Sequence, residues 1–439
     1  MSPSRDERLD AALAAKREGL RDEFEHWHRT TAPDGPLPEL HSAVGAVTRP
    51  LGAALARLEA EGGGPGVDRG AAESRIVGLH QLWGHFRDRL APRLLPFTRD
   101  FLGFADDVAW ACYEPALRAV TAACAGEVLP VEPPLIHLAP SAVPFAQVRG
   151  AAFAGVDGGR PHAPSAEHLA QALRVLPVPL IGLPWFQLGH LPEVGFVAHE
   201  VGHVVLADLG LHGPVGALVD DAFGAHTPGA RYWRSVLHEA FADVYGVLAL
   251  GPAYAAALVD LVTVGPDLPA PAGYPRSEAR VALAVDALET LDLTAEAETV
   301  RDRWHSGSAA HPALPSTGRF TGAVLGEPLA RLGGQPLRAL FRTGDTAVAG
   351  RRVAGALLAG DALPQQQPVI LAAACALAFA DDFARYRERQ RPTVTRRVLD
   401  QHAAHRQRGP RPLEPDSDAL DAQRDELLWQ QLGGAAAAG

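Results

Sequence analysis

The sequence predicts a predominantly helical α+β fold, in which helical regions flank a core that contains a small sheet. Three observations predict it. Apolar residues recur at helical spacing over most of the chain, prolines and β-type segments interrupt that spacing after residue 129, and two strongly apolar helical segments follow. The length of 439 residues allows more than one domain. We expect an N-terminal helical region at 1–130, a core at 131–310, a C-terminal helical region at 311–412 and a disordered tail at 413–439.

The N-terminal region is predicted to contain helices alone. Apolar residues at helical spacing, with charged residues between them, predict helices at 5–27, 40–58, 76–102 and 105–124. The glycine-rich stretch Gly62–Gly66 (GGGPG) is predicted to be a linker between the second and third helices.

The core is predicted to begin near Pro130, where the proline-rich segment 129–134 (LPVEPP) replaces the helical spacing. The run 174–183 (RVLPVPLIGL) is apolar and rich in β-formers, but it contains Pro177 and Pro179. Proline lacks the N–H that a central strand needs, whereas an edge strand can accommodate it. We therefore predict an edge strand at Val175–Leu183.

Helical spacing returns after this strand and continues through the C-terminal region. It predicts helices at 193–209, 231–250, 277–291, 295–305, 369–389 and 393–407. The run Pro368–Ala380 is the longest apolar stretch and is shorter than the roughly 20 residues that span a bilayer. We interpret it as a buried helix rather than a membrane segment.

Composition excludes several classes of protein. The formal net charge of −11 argues against a nucleic-acid-binding protein, because phosphate contacts need a basic surface. The three cysteines are far apart and predict neither a disulfide framework nor a thiolate metal cluster. Charged residues interrupt the N-terminus where a secretory signal would be apolar. We expect a cytoplasmic protein.

A metal-binding motif stands in the segment Phe196–Val205 (FVAHEVGHVV), which contains His-Glu-x-x-His over residues 199–203. Residues four apart lie on one face of a helix, so both imidazoles can reach one Zn²⁺ at roughly 2.0–2.1 Å. Glu200 is rotated by roughly a quarter turn and can take a proton from water without ligating the metal. We predict that His199 and His203 are zinc ligands and that Glu200 is the general base.

A catalytic zinc usually has three protein ligands, so a third is sought elsewhere in the chain. The segment 235–246 (SVLHEAFADVYG) places Glu239 and Asp243 four residues apart on one face of another apolar helix. The first carboxylate could bind the metal while the second accepts the free ring N–H of a ligating histidine.

Together these motifs resemble the gluzincin metallopeptidases, the group that includes thermolysin. The resemblance rests on His-Glu-x-x-His followed by Glu-x-x-x-Asp on a later helix, and it covers about 174–246. It implies a zincin-like core with a small sheet and two metal-bearing helices. It also implies that Glu239 is the third zinc ligand and that Asp243 orients His199.

Other candidates for the third ligand remain. A metzincin would have glycine and histidine where this chain has Leu206 and Leu209, which excludes that class. Asp220 or Asp221 could ligate zinc, as aspartate does in some zincins. Three nearby histidines are interpreted as surface or loop residues: His212, His226 and His238.

Two further expectations concern the substrate. Peptidases of this architecture hold an extended peptide against an edge strand, for which Val175–Leu183 is the candidate. Tyr274-Pro275 followed by Arg280 resembles the His-Pro-Pro…Arg segment of related zinc peptidases, with tyrosine in place of the histidine. Tyr274 is thus a candidate to stabilise the substrate oxyanion, with His305 and His311 as weaker candidates.

The expected function is zinc-dependent hydrolysis of peptide bonds by a zinc-activated water, with Glu200 as general base. The partner would be a peptide or protein substrate, with no nucleic acid and no membrane involved. Two alternatives remain: a zinc amidase acting on a non-peptide substrate, and a non-catalytic regulatory protein that keeps zinc as a scaffold. An intact Glu200 argues against the second alternative, since a structural site needs no base.

Overall fold

Helices form most of the described chain, together with one three-stranded and one two-stranded sheet. This confirms the predicted predominantly helical α+β fold. The computed structural model describes residues 4–61, 68–124, 132–148, 166–175, 178–263, 273–305, 316–389, 395–404 and 425–433. Within them, no single helix is both long enough and apolar enough to cross a membrane.

The helices, in chain order, are α1 (Arg5–Thr30), α2 (His41–Glu61), α3 (Arg69–Leu90), α4 (Pro96–Ala123), α5 (Ala166–Val175), α6 (Val197–Asp208), α7 (His212–Phe223), α8 (Pro228–Ser235), α9 (Leu237–Leu250), α10 (Pro252–Thr263), α11 (Ser277–Thr290), α12 (Thr294–His305), α13 (Thr317–Gly326), α14 (Thr343–Ala359), α15 (Pro368–Asp381), α16 (Phe383–Arg389), α17 (Thr395–Ala404) and α18 (425–433). The strands are β1 (Leu135–Ala139), β2 (Phe145–Gln147), β3 (Leu180–Pro184), β4 (Pro328–Leu329) and β5 (Gln335–Pro336).

The chain divides into two compact units, each built from segments that are distant in the sequence. The first unit groups Met1–Leu95, Gln147–Pro179 and Arg408–Gly439, and the second groups Pro96–Ala146 and Leu180–Gln407. This division differs from the predicted one, in which the regions follow one another along the chain. In particular, α4 was predicted in the N-terminal region but belongs to the unit that contains the later helices.

The first unit is held together by aromatic side chains of its helices. The Trp83 ring on α3 is fully buried and meets two rings of α1 edge to face, with centroids 5.4 Å from Phe24 and 6.3 Å from Trp27. The last helix, α18, packs in the same unit, where the Arg75 guanidinium lies 4.7 Å from the Trp429 ring centroid. Residues 425–433 thus form a docked helix, although they fall within the tail that was predicted to be disordered.

The three-stranded sheet has the strand order β1-β3-β2, and its strands β1 and β3 belong to the second unit. β1 and β3 are parallel, with Leu135 beside Leu180 at one end and Ala139 beside Pro184 at the other. Both strands are buried along their whole length. This pattern explains why β3 reads as a continuous apolar run instead of an alternating one.

The predicted edge strand at Val175–Leu183 is wrong in its position, because β3 lies between β1 and β2. Val175 is the last residue of α5, and the strand starts only at Leu180. Pro179 precedes the strand, so the hydrogen-bond ladder does not need its missing N–H. Pro177 lies outside the described residues. Among the described strands, β1 and β2 lie at the two edges of this sheet.

Several predicted helices are divided in the structure. The predicted helix at 76–102 ends as α3 at Leu90, and α4 begins at Pro96 after a 3-10 turn that contains Pro92. The helix predicted at 105–124 is the continuation of α4. The helix predicted at 231–250 is likewise two helices, α8 and α9, and the one at 369–389 divides into α15 and α16 at Asp382.

Candidate metal centre

The site lies between α6 and α9, two helices of the second unit that pack closely. The two helices approach each other closely at Gly202, inside the His-Glu-x-x-His motif. A Cβ at this position would lie 3.0 Å from the Cα of Ala242 and 3.1 Å from the Cβ of Tyr245, closer than side chains normally approach. The glycine therefore brings the two helices near enough for Glu239 on α9 to reach both histidines of α6.

Three ligand atoms converge at this contact. His199 Nε2 lies 3.1 Å from His203 Nε2. The Glu239 carboxylate completes the triangle, with Oε2 3.3 Å from His199 Nε2 and Oε1 3.6 Å from His203 Nε2. Oε2 is buried and accepts no well-directed hydrogen bond from any described residue. This group of two imidazoles and one carboxylate could hold a metal ion.

Asp243 lies one turn after Glu239 on α9 and is fully buried. Its Oδ1 is 3.0 Å from His199 Nδ1, which is the contact that the gluzincin resemblance implies. In the neutral imidazole, an N–H on Nδ1, which lies near this carboxylate and 3.1 Å from the Tyr254 hydroxyl, leaves the lone pair of Nε2 directed at the other ligands. The arrangement therefore selects the tautomer of His199 that can bind a metal.

Two further residues fix Asp243, and neither role was predicted from the sequence. Arg280 on α11 donates from Nε to Oδ2 at 2.8 Å and from Nη2 to Oδ1 at 2.7 Å. The Tyr254 hydroxyl on α10 donates to Oδ1 at 2.6 Å. Gly246 makes room for Tyr254, because a Cβ there would lie 2.6 Å from the tyrosine ring. The available sequence signal was an arginine within the otherwise apolar face of α11, since a buried guanidinium requires a carboxylate.

The charges of this network affect its ionisable groups strongly. Burial raises the pKa of a carboxyl, but the positive charge of Arg280 and its hydrogen bonds outweigh burial and hold the pKa of Asp243 far below its usual range. Burial by itself would lower the pKa of His199, but the carboxylates of Asp243 and Glu239 outweigh it and raise that pKa to about 9. Burial and the neighbouring His199 lower the pKa of His203 to about 3.

Glu200, on α6, is a further buried carboxyl at the site and does not belong to the ligand group. Burial raises its pKa to about 7, although His199 acts in the opposite direction. The backbone of Ala146, on the edge strand β2, also lies beside this carboxyl and by itself lowers its pKa. A carboxyl with a pKa near neutrality can both accept and release a proton at physiological pH.

The solvent side of the site carries Tyr274 and His238. Tyr274 is 43% exposed, and burial together with the nearby charge of Glu239 raises its pKa to about 12. His238 was interpreted from the sequence as a surface or loop residue. It is indeed exposed, but its Nε2 lies 3.7 Å from Glu239 Oε1. The backbone direction of a helical residue does not fix where a flexible side chain ends, and here the imidazole turns back toward the next residue.

The remaining candidates lie elsewhere or outside the described residues. Asp221 is exposed on α7, and Asp220, His212 and His226 also lie outside the metal-binding group. His311 and the side chain of His305 lie outside the described part of the chain.

Comparison of the chain with models of known protein families, with curated proteins and with solved structures finds no match in any of the three. The site is therefore defined by its own geometry. That geometry consists of a His-His-Glu group in which His199 and Glu239 are buried and His203 is partly buried, a buried carboxyl beside it and two hydrogen-bonding side chains on the solvent side.

Proposed function

We propose that the chain is a zinc-dependent peptidase with a gluzincin-type active site. The observation that carries the proposal is a buried carboxyl, Glu200, which stands next to three converging ligand atoms without being one of them. A purely structural zinc site would be closed by a fourth protein ligand and would have no use for a base.

The spacing of the ligand atoms supports zinc as the metal. Tetrahedral coordination with bonds of about 2.0–2.1 Å places ligand atoms about 3.3 Å apart. The two imidazole nitrogens are 3.1 Å apart, and the carboxylate oxygen nearest to each of them lies at 3.3 Å (Oε2 to His199) and 3.6 Å (Oε1 to His203), close to that value. Two imidazoles and one carboxylate are also a donor set typical of catalytic zinc. His199, His203 and Glu239 would hold the ion.

The chain's own residues supply the proton transfers. Zinc, when bound, acts as a Lewis acid that polarises a carbonyl group and lowers the pKa of water. Glu200 accepts the proton of the attacking water and then delivers it to the nitrogen of the leaving amine. Asp243 and Arg280 keep His199 in the orientation that binds metal. Tyr274, which is 43% exposed, would donate a hydrogen bond to the substrate carbonyl oxygen.

The edge strand β2 is the better candidate for aligning an extended substrate. It lies at the border of the sheet, and the backbone of Ala146 lies beside Glu200. A peptide paired with this edge would run past the general base.

The variant Glu200→Gln tests the proposal, because it preserves shape and hydrogen bonding while it removes the base. We expect zinc content and thermal stability close to those of wild type, and a fall in turnover of at least about 10²–10⁴-fold. The measurement is cleavage of a broad peptide library by the zinc-loaded protein. Glu298→Gln, an exposed change on α12, is the matched control and should be fully active.

Full activity of Glu200→Gln would refute the proposed base. A zinc-loaded wild-type protein that cleaves small amides but no peptide would indicate the amidase alternative. A protein that binds zinc and hydrolyses neither class would indicate a zinc-bearing scaffold.

A further inference from the structure

Exposure separates the residues of the metal centre into two groups. His199, Glu200, Glu239 and Asp243 are all buried and hold or surround the proposed ion from within the protein. The His238 side chain is 49% exposed. A substrate reaches the ion from solvent, so it passes the exposed side of the site, where His238 lies.

The imidazole of His238 is next to the ligand group without belonging to it. Its Nε2 is 3.7 Å from Glu239 Oε1, which is beyond hydrogen-bond distance. Its ring centroid lies 5.8 Å from that of His203. Among the described residues, the group of converging ligand atoms comprises His199, His203 and Glu239 only. His238 is thus close enough to touch a molecule bound at the ion and too far away to complete the ligand set.

The loop before α11 lies against the same ring. Gly273 has a φ of +88°, a conformation that side chains rarely adopt. A Cβ at this position would lie 3.4 Å from His238 Cε1, so the absence of a side chain brings the loop into close contact with the imidazole. The loop then continues into Tyr274. The ring is therefore supported on one side by protein and open on the other.

We propose that His238 is a catalytic residue that donates a hydrogen bond from its imidazole N–H to the carbonyl oxygen of the substrate as negative charge develops there. The proposal rests on the proposed function for the presence of that carbonyl. Such a donor stabilises the transition state more than the bound substrate, so it raises the rate of turnover more than it tightens substrate binding.

The test uses acetohydroxamate, a small anion-forming ligand of zinc, as a probe that requires no turnover. We expect His238→Ala to weaken acetohydroxamate binding to the zinc-loaded full-length protein about tenfold or more, as for loss of a hydrogen bond to a charged group. His238→Gln keeps an N–H donor of similar reach and should retain most of the affinity. His212→Ala, which changes an exposed histidine on α7, is the matched control and should bind as wild type does.

Zinc affinity and peptide kinetics complete the experiment. Zinc affinity should be unchanged in all three variants, and for peptide substrates His238→Ala should lower kcat with little change in KM. Wild-type hydroxamate affinity in His238→Ala would overturn the proposal. An equal loss of zinc affinity would overturn it as well, because His238 would then only support Glu239. If hydroxamate binding depends on His238 but the wild type cleaves no peptide, the proposed reaction fails while the ligand contact stands.

Discussion

At the scale of single residues, Asp243 receives contacts from three side chains at once. Its carboxylate lies 3.0 Å from His199 Nδ1, accepts two hydrogen bonds from Arg280 and accepts a third from the Tyr254 hydroxyl. A buried charge is tolerated only when partners replace its lost hydration. The same contacts that make this buried carboxylate possible also orient the histidine, so stability and metal affinity are coupled at one residue.

Replacing Asp243 should therefore have two separable effects. Asp243→Ala leaves the buried guanidinium of Arg280 unpaired and should lower the free energy of unfolding by about 3–5 kcal/mol. It should also weaken zinc binding about 10–100-fold, because His199 loses its orienting carboxylate. The double variant Asp243→Ala with Arg280→Met should regain much of the stability but none of the zinc affinity. Denaturant unfolding and zinc titration measure the two quantities. Recovery of zinc affinity in the double variant would contradict the orienting role.

The identity of the third ligand can be decided by two single variants. Glu239→Ala removes a carboxylate that has one oxygen 3.3 Å from His199 Nε2 and the other 3.6 Å from His203 Nε2, and we expect the purified protein to lose its zinc. Asp221→Ala changes an exposed carboxylate of α7 and should leave one zinc per chain. Elemental analysis after growth with zinc and without chelators measures both. Retention of zinc in the first variant and loss in the second would move the protein to the aspartate-ligated class.

At the scale of elements, the site depends on how closely α6 approaches α9. Gly202 has two opposing effects on stability, since glycine weakens a helix by about 1 kcal/mol relative to alanine but removes a Cβ from a crowded contact. The crowding involves the backbone of Ala242, which cannot rotate away as a side chain end could. We therefore expect crowding to outweigh helix propensity when Gly202 is replaced by a larger residue.

Gly202→Ala should lower the free energy of unfolding by about 1–3 kcal/mol, the usual cost of overpacking, and should weaken zinc binding as α9 is displaced. Gly355→Ala is the matched control. That glycine is exposed within α14, and a Cβ there would meet nothing within 4 Å, so this change should stabilise the protein by up to about 1 kcal/mol. Unchanged zinc affinity in Gly202→Ala would mean that the ligand geometry does not depend on the close contact of the two helices.

Local patterns were sufficient for most helices and insufficient for the sheet. Helical spacing predicted the ends of α1, α11 and α12 to within a few residues. This is possible because the buried face of an amphipathic helix is visible in the spacing of its own apolar residues. The position of β3 in the sheet depends on which strands lie on either side of it. One of these is β2, at Phe145–Gln147, and a strand of three residues is too short to be predicted from a sequence pattern. Proline does disfavour a central strand, but Pro179 lies just before β3 rather than within it.

The same distinction holds for the metal centre. His199, Glu200 and His203 lie within five consecutive residues of one helix, so their relative arrangement can be predicted from that short segment alone. Glu239 could be proposed because a carboxylate pair on an apolar helix is unusual. Tyr254 and the pairing of Arg280 could not be derived, because they meet Asp243 only through the packing of α10 and α11 against α9. The orientation of His238 depends on side-chain rotation, which spacing along a helix does not determine.

At the scale of the whole molecule, all residues of the metal centre belong to one of the two compact units. His199, His203 and Glu239, together with Asp243 and Arg280, lie in the unit formed by Pro96–Ala146 and Leu180–Gln407. The helices α1, α2 and α3 belong to the other unit. A ligand that binds only the folded state stabilises the elements that form its site, by an amount set by its concentration relative to Kd.

Zinc should therefore protect one unit selectively against hydrogen exchange. Local opening of α6 or α9 breaks the ligand set, so bound zinc raises the free energy of that opening, by about 4 kcal/mol at a zinc concentration 1,000 times Kd. Opening of α1, α2 or α3 leaves the ligands in place and should cost the same with and without the metal. Deuterium uptake measured by mass spectrometry should slow about 10³-fold in peptides of α6 and α9 when zinc replaces chelator, and stay unchanged in α1–α3. His199→Ala should abolish the difference. Equal slowing in α1–α3 would show that the two units open together, and slowing there alone would place the metal outside the His-His-Glu group.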